Sequence, residues 1–272
     1  MLINMKNFFS FNRFFIVTVL IISVFSCKER GVQTAQQSYE QTIFLVPADT
    51  ARGLLNVKVE LEYPKTFASP SVLDSIHNTL VVNMFGKEFL SVPFDSIPKV
   101  YAQTIIADSK ANLLSDLKAF EEKVPDFSLG AFYNYIEGFP LQNDGRIFSY
   151  GYTRDVYMGG AQGLKTFNYF NFDLKNGHLL EETDIFTDNY QNSLADLIKK
   201  AIIKQNSQVQ YSDTIMPNGN FFISDEGITY LFNVYEIAPY YVGQTEIFLP
   251  YSDLKAILRK NSPISYLVAS AK

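Results

Sequence analysis

The chain has 272 residues, 47% hydrophobic and 19% charged, enough to bury a core and too apolar for a disordered segment. Its formal net charge of -5 and the lack of any Lys/Arg stripe exclude a row of phosphates as partner, so no nucleic acid is expected.

The first 26 residues read as an export signal. Lys6 and Arg13 flank "FFIVTVLIISVF", an apolar run from Phe14 to Phe25 that is short of the about 20 residues a spanning helix needs. Cys27, the only cysteine, follows it directly. The local sequence "VFSC" resembles a bacterial lipobox. That resemblance implies cleavage before Cys27, acylation of its thiol, and attachment to the membrane through lipid. The other reading is an ordinary secretory signal or an uncleaved anchor. After cleavage the remainder carries 21 basic and 28 acidic side chains and no cysteine besides Cys27, so it is acidic and has no internal disulfide. Residues 27–41, with "KERGVQTAQQSYEQ", are polar without hydrophobic period and read as a flexible tether.

From residue 42 the pattern is globular. "TIFLV" predicts a short strand, and "LLNVKVELEYP" alternates at Leu55, Val57, Val59 and Leu61, a half-buried strand that Pro64 should end. Ser69 and Pro70 then open a helix with Val72, Ile76, Leu80 and Met84 on one face. A second helix is predicted over about 98–122, with Ile106, Leu113, Leu117, Phe120 and Val124 as its apolar side.

Aromatic alternation takes over next. "LGAFYNYIEGF", "GRIFSYGYTRDVYM", "LKTFNYFNFDL" and "HLLEETDIF" read as strands, with "KNG" at 175–177 as a hairpin turn. Alternation in "FNYFNF" puts Phe167, Tyr169 and Asn171 on one face and Phe170 and Phe172 on the other, so both faces of that strand should be covered. A third helix, "NYQNSLADLIKKAIIKQ", carries Tyr190, Leu194, Leu197, Ile198, Ala201 and Ile202 on one side. Strands at "GITYLFNVYEIAPY" and "TEIFLPY" and a short helix at "YSDLKAIL" close the chain. Strands grouped together with helices interspersed singly predict an α+β fold, an antiparallel sheet packed by three or four helices.

"GGAQG", "NYFNFDLKNGHLLEETDIF" and "GITYLFNVYEIAPYYVGQTEIFLPYSDL" together resemble the DUF3298 family. The first half, with "VKVELEYP" leading into a helix, is similar in layout to the DUF4163 module that often precedes it. The organisation implied is a signal at 1–26, the tether at 27–41, a DUF4163-like module at 42–150, a DUF3298-like module at 151–262 and a tail at 263–272. The family occurs in lysozyme-binding anti-sigma factors and beside polysaccharide deacetylases, which implies an extracytoplasmic module that senses or binds a protein (lysozyme-like) or a glycan. No sigma-binding or deacetylase segment is recognised here. Gln162 stands where the family's glycine motif commonly has His, which removes an imidazole from that position.

Chemistry is sparsely supplied. "YMGGAQG" at 157–163 lacks the following helix and Lys-Ser/Thr pair of a phosphate loop; its glycines read as a bend between strands. The sharper reading makes Tyr157, Gly159, Gly160 and Gln162, with Tyr240 and Tyr241 of "APYYVG", a ligand-contacting end of the sheet. The two histidines, His77 and His178, do not make a zinc site, and no cofactor fingerprint is present. "LEETD" at 180–184 reads as a solvated acidic turn or a weak calcium site. A binding module ranks above the two alternatives, a cell-wall hydrolase acting through carboxylates and a structural lipoprotein.

Overall fold

A computed structural model describes residues 31–45, 53–121, 131–205, 211–212 and 214–270. Cys27 and Val124 lie outside these residues, as do the side chains of Leu113, Leu117 and Phe120. The strands are β1 (Gln33–Phe44), β2 (Leu54–Thr66), β3 (Ala131–Asn143), β4 (Ile147–Tyr157), β5 (Leu164–Asp173), β6 (His178–Leu179), β7 (Phe221–Ile223), β8 (Gly227–Phe232) and β9 (Thr245–Pro250). The helices are α1 (Pro70–Met84), α2 (Ile97–Glu121), α3 (Glu182–Ile185), α4 (Tyr190–Gln205), α5 (Tyr251–Leu254) and α6 (Ser265–Ser270). The fold is α+β.

Strands β1 to β6 form one sheet in chain order. All its pairs are antiparallel except β2–β3, which is parallel. This departs from the antiparallel expectation for a topological reason. Two neighbouring strands running the same way need a long crossover, and α1 and α2 supply it across one face of the sheet. The odd residues of β2 (Leu55, Val57, Val59, Leu61) and the even residues of β4 and β5 (Phe148, Tyr150, Phe170, Phe172) are buried on that face. Against them lie Val72, Ile76, Leu80 and Met84 of α1, the predicted stripe, with Ile97, Tyr101 and Ile106 of α2.

The tether reading is corrected from Gln33 onward. This polar run pairs residue for residue with β2, its half-buried positions set against that strand's apolar ones. A strand at a sheet edge needs little hydrophobicity of its own when backbone hydrogen bonds and one partly covered face hold it. Pro64 does not end β2, which continues to Thr66 with Pro64 opposite Thr34. Leu45 N–H donates to Gly53 O at 2.7 Å. Bonded pairs therefore fall on odd residues, and the N–H that proline lacks is not owed to β1.

A second core gathers after residue 179. Leu194, Ile198 and Ile202 of α4 pack on the three-stranded sheet β7-β8-β9 through Ile223, Ile228, Tyr230, Ile247 and Leu249. The predicted strand "HLLEETDIF" shrinks to the two residues of β6, and α3 takes its place. A capping box stops the strand: Asp184 accepts the Glu181 N–H at 2.8 Å. The 150/151 module boundary falls inside β4, and the cores divide nearer residue 180.

Asparagine side chains join the two parts. Asn171 Oδ1 accepts Ile223 N–H at 3.0 Å and Ser149 O–H at 2.7 Å, and its Nδ2 donates to Phe221 O at 2.8 Å. Along the same edge of β5, Asn220 accepts Tyr169 N–H and donates to Phe167 O, both at 2.9 Å. Asn233 accepts Phe167 N–H at 2.7 Å. These carboxamides stand in for a neighbouring strand along that edge, and burial of Phe170, Asn171 and Phe172 covers both faces of β5 at its C-terminal half, where the alternation predicted it.

Candidate functional site

The glycine cluster at 157–163 is the hairpin connecting β4 to β5. Gly159 and Gly160 have φ of +107° and +99°, a conformation that favours glycine. A Cβ on Gly163 would lie 2.6 Å from Tyr133 Oη and 3.2 Å from Val156 O, so a side chain there would displace the Tyr133 ring. No helix follows the bend, which excludes the phosphate-loop geometry at this position. Tyr157 O–H donates to Gly160 O at 2.9 Å and pins the turn.

This bend meets the loop after β8. Gln162 Nε2 donates to Tyr235 Oη at 2.5 Å, and Tyr240 O–H donates to Gly163 O at 3.4 Å. Tyr235 and Tyr240 rings lie 5.4 Å apart, and Tyr133 stacks 4.9 Å from Tyr135 and 6.0 Å from Tyr157. Tyr157, Gly160, Gln162 and Tyr240 are thus joined through a few contacts. Gly159 is in the same bend, and Tyr241, 80% exposed, projects beside Tyr240. Tyr133, Tyr135 and Tyr235 complete the cluster and were not singled out from sequence. The phase of "FYNYIEG" could have placed the first two on one face. Partial desolvation, with the Asp155 carboxylate next in size, pushes the Tyr133 phenol upward.

The cluster ends the part of the large sheet's second face, opposite α1 and α2, that the small sheet leaves uncovered. Its β2 residues are Lys58, Glu60 and Glu62; β3 contributes Tyr135, Glu137 and Phe139, and β4 contributes Thr153 and Asp155. Two connected hollows sit there. One of about 450 Å³ is lined by Gln36, Ser38, Glu62 and Phe139, another of about 310 Å³ by Glu40, Lys58, Tyr135, Asp155 and Lys165; they share Glu60 and Glu137. Five carboxylates thus face two ammonium groups, one of which, Lys58, pairs with Glu60 at 2.8 Å. That hydrogen bond raises the lysine.

The acidic turn "LEETD" behaves differently from a solvated loop. Glu182 Oε2 accepts Tyr190 O–H at 2.7 Å, while Oε1 accepts Tyr230 O–H and Gly219 N–H, both at 3.0 Å. It borders a cleft of about 360 Å³ between the two cores, with Tyr169, Leu180 and Phe221. Burial first, and then the Glu182 carboxylate, push both phenols up. Asp184 is occupied with its cap and with His178 at 3.0 Å. Among the described residues no group of three or more His, Cys, Asp or Glu is arranged to hold a metal ion. His77 Nε2–H donates to Pro64 O at 2.5 Å, and its ring packs 4.6 Å from Phe94 at a tilt, a packing position.

Comparison with known proteins adds four findings. Residues 183–252 match the family described as Protein of unknown function (DUF3298), so the C-terminal region carries a DUF3298 domain. A crystal structure of a DUF3298 family member from Bacteroides fragilis superposes with a TM-score of 0.81 at 25% identity, covering 89% of this chain and 100% of that one. A DUF3298 family protein from Pseudomonas aeruginosa shares the fold, with a TM-score of 0.53 at 15% identity over 85% of this chain and 95% of that one. Peptidoglycan-N-acetylmuramic acid deacetylase PdaC of Bacillus subtilis is 30% identical over 115 residues, 38% of this chain. The chain spans 24% of that relative's length. Among the described residues, no helix is long and apolar enough to cross a membrane.

Proposed function

We propose that this chain is a cell-envelope lipoprotein, cut before Cys27 and acylated there, whose uncovered sheet face binds a cationic protein of the lysozyme kind or a cell-wall glycan. The observation that carries this reading is the pairing on one face of an acidic field with an exposed tyrosine row. Carboxylates attract a basic protein at range and accept hydrogen bonds from sugar hydroxyls; tyrosine faces offer apolar area to either at low conformational cost. The regional similarity to a protein named as a peptidoglycan deacetylase supports a place near the cell wall. Residues 42–150 would then act as the DUF4163-like half, supplying β2 and β3 of the binding face.

Calorimetry with lysozyme and with soluble peptidoglycan fragments tests this, each at about 0.05 M and about 0.5 M NaCl. A protein ligand held by the acidic field should weaken steeply with salt and with Glu60→Gln; a glycan held by stacking should weaken with Tyr135→Ala and little with salt. Absence of heat from both ligands up to about 1 mM, roughly the 4 kcal/mol limit, would remove the proposal.

A further inference from the structure

Strand β1 stands at one end of the large sheet and pairs with β2 alone. Among the described residues nothing hydrogen-bonds its other edge. The ladder identifies which groups are left over. Leu45 bonds to Gly53, and the register from Thr34↔Pro64 to Phe44↔Leu54 is unbroken. Bonded and non-bonded pairs alternate in an antiparallel ladder, so the odd residues from 35 to 43 bond to β2. Thr34, Gln36, Ser38, Glu40, Thr42 and Phe44 therefore turn N–H and C=O outward.

Edges of this length are usually blunted by Lys, Pro or a bulge. From Thr34 to Phe44 there is none: the run holds no proline, no lysine and one charge, Glu40, and the only register shift comes before it, at Gln33/Thr34.

We propose that β1 pairs antiparallel with β1 of a second copy about a two-fold axis at Tyr39, extending the sheet across a dimer. Outward residues must bond to outward residues, which requires an even register sum. The register centred on Tyr39 is the one that pairs all six, joining Ser38 to Glu40, Gln36 to Thr42 and Thr34 to Phe44 of the other copy. It also keeps the two Glu40 side chains from lying directly opposite, as centring on Glu40 would force. Ala35 meets Ile43 on the helix-covered side, where the edge is least polar. The exchange gives on the order of twelve ladder hydrogen bonds. A second copy is the occupant because this register opposes no like charges and sets Ala35 against Ile43 and the two Tyr39 side chains against each other.

The full chain in detergent, with Cys27→Ser so that no other thiol is present, serves for both tests. Sedimentation should show a dimer that dissociates on dilution. Ser38→Pro removes an outward N–H and should convert it to a monomer with unchanged circular dichroism. Tyr39→Pro removes an inward N–H and should disturb the fold instead. Across the axis, copies of position 39 would stand about 4.5 Å apart between Cα atoms, within disulfide range. Tyr39→Cys should therefore cross-link under mild oxidation, and Gln41→Cys, which faces Gln37 of the other copy, should not. A monomer at every concentration up to about 0.1 mM, or roughly the 5 kcal/mol level, overturns the proposal. So does a dimer that survives Ser38→Pro, or equal cross-linking at 39 and 41.

Discussion

Asn171 of β5 accepts the Ile223 N–H of β7 at 3.0 Å, a side-chain-to-backbone bond between residues 52 positions apart that ties the small sheet to the large one. Asn171 is 2% exposed and its carboxamide makes two further bonds, to Ser149 and Phe221. Asn171→Ala leaves the Ile223 N–H and the Phe221 C=O without their partner in a buried site and takes away the nearer acceptor of Ser149, and each unmet polar group there costs about 1–3 kcal/mol. We expect a loss of about 3–5 kcal/mol in urea unfolding, allowing for partial relaxation. A loss below about 1 kcal/mol would show that the two sheets do not depend on this joint.

Raised phenols make the fold sensitive to alkali. Tyr190 and Tyr230 titrate above their ordinary value of 10.0 because burial and Glu182 disfavour the phenolate. A folded pKa above the unfolded one means the native state holds more protons. The stability tied to these phenols is complete below pH 10.0 and declines as pH rises through and beyond that value. Absorbance at 295 nm should show their phenolates appearing together with loss of far-ultraviolet ellipticity. Glu182→Gln, which replaces one acceptor oxygen with a donor, should cost about 1–2 kcal/mol at neutral pH.

Two glycines with similar backbone should differ in cost. Gly160→Ala adds a methyl that meets nothing within 4 Å, leaving only the strain of φ +99°, about 1–2 kcal/mol. Gly177 has φ +75°, and its added Cβ would lie 2.9 Å from Ser75 Cβ and 3.1 Å from Val72 O of α1. There the helix must also move, so Gly177→Ala should cost roughly 3 kcal/mol or more. Thermal melts of the pair decide it; equal losses would mean that α1 yields freely.

If Cys27 carries the lipid, Cys27→Ser should move the protein from the membrane pellet to the soluble fraction and abolish incorporation of labelled palmitate. Buried acyl chains contribute about 0.8 kcal/mol per methylene, so the shift should be nearly complete. Retention in the pellet would point to an uncleaved apolar segment at 14–25.

The sequence by itself determined what neighbours along the chain can encode. The four-residue spacing of Val72, Ile76, Leu80 and Met84 marked α1, and the alternation from Leu55 to Leu61 marked β2, because periodicity is a property of consecutive residues. It also drew attention to the 157–163 bend and Tyr240, which the fold does bring together.

Only the tertiary structure decided which polar residues matter. Gln33 to Gln41 read as tether and Glu182 as part of a solvated turn, Asn220 carried no local signal, and Asn233 fell inside a predicted strand. Their partners are Leu61, Tyr230, Tyr169 and Phe167, as far as 66 positions away, on strands whose order no local pattern specifies. The parallel pairing of β2 with β3 was hidden for the same reason. An apolar side chain announces burial wherever it lies, whereas a polar group is inside or outside according to whether a distant donor or acceptor is waiting for it.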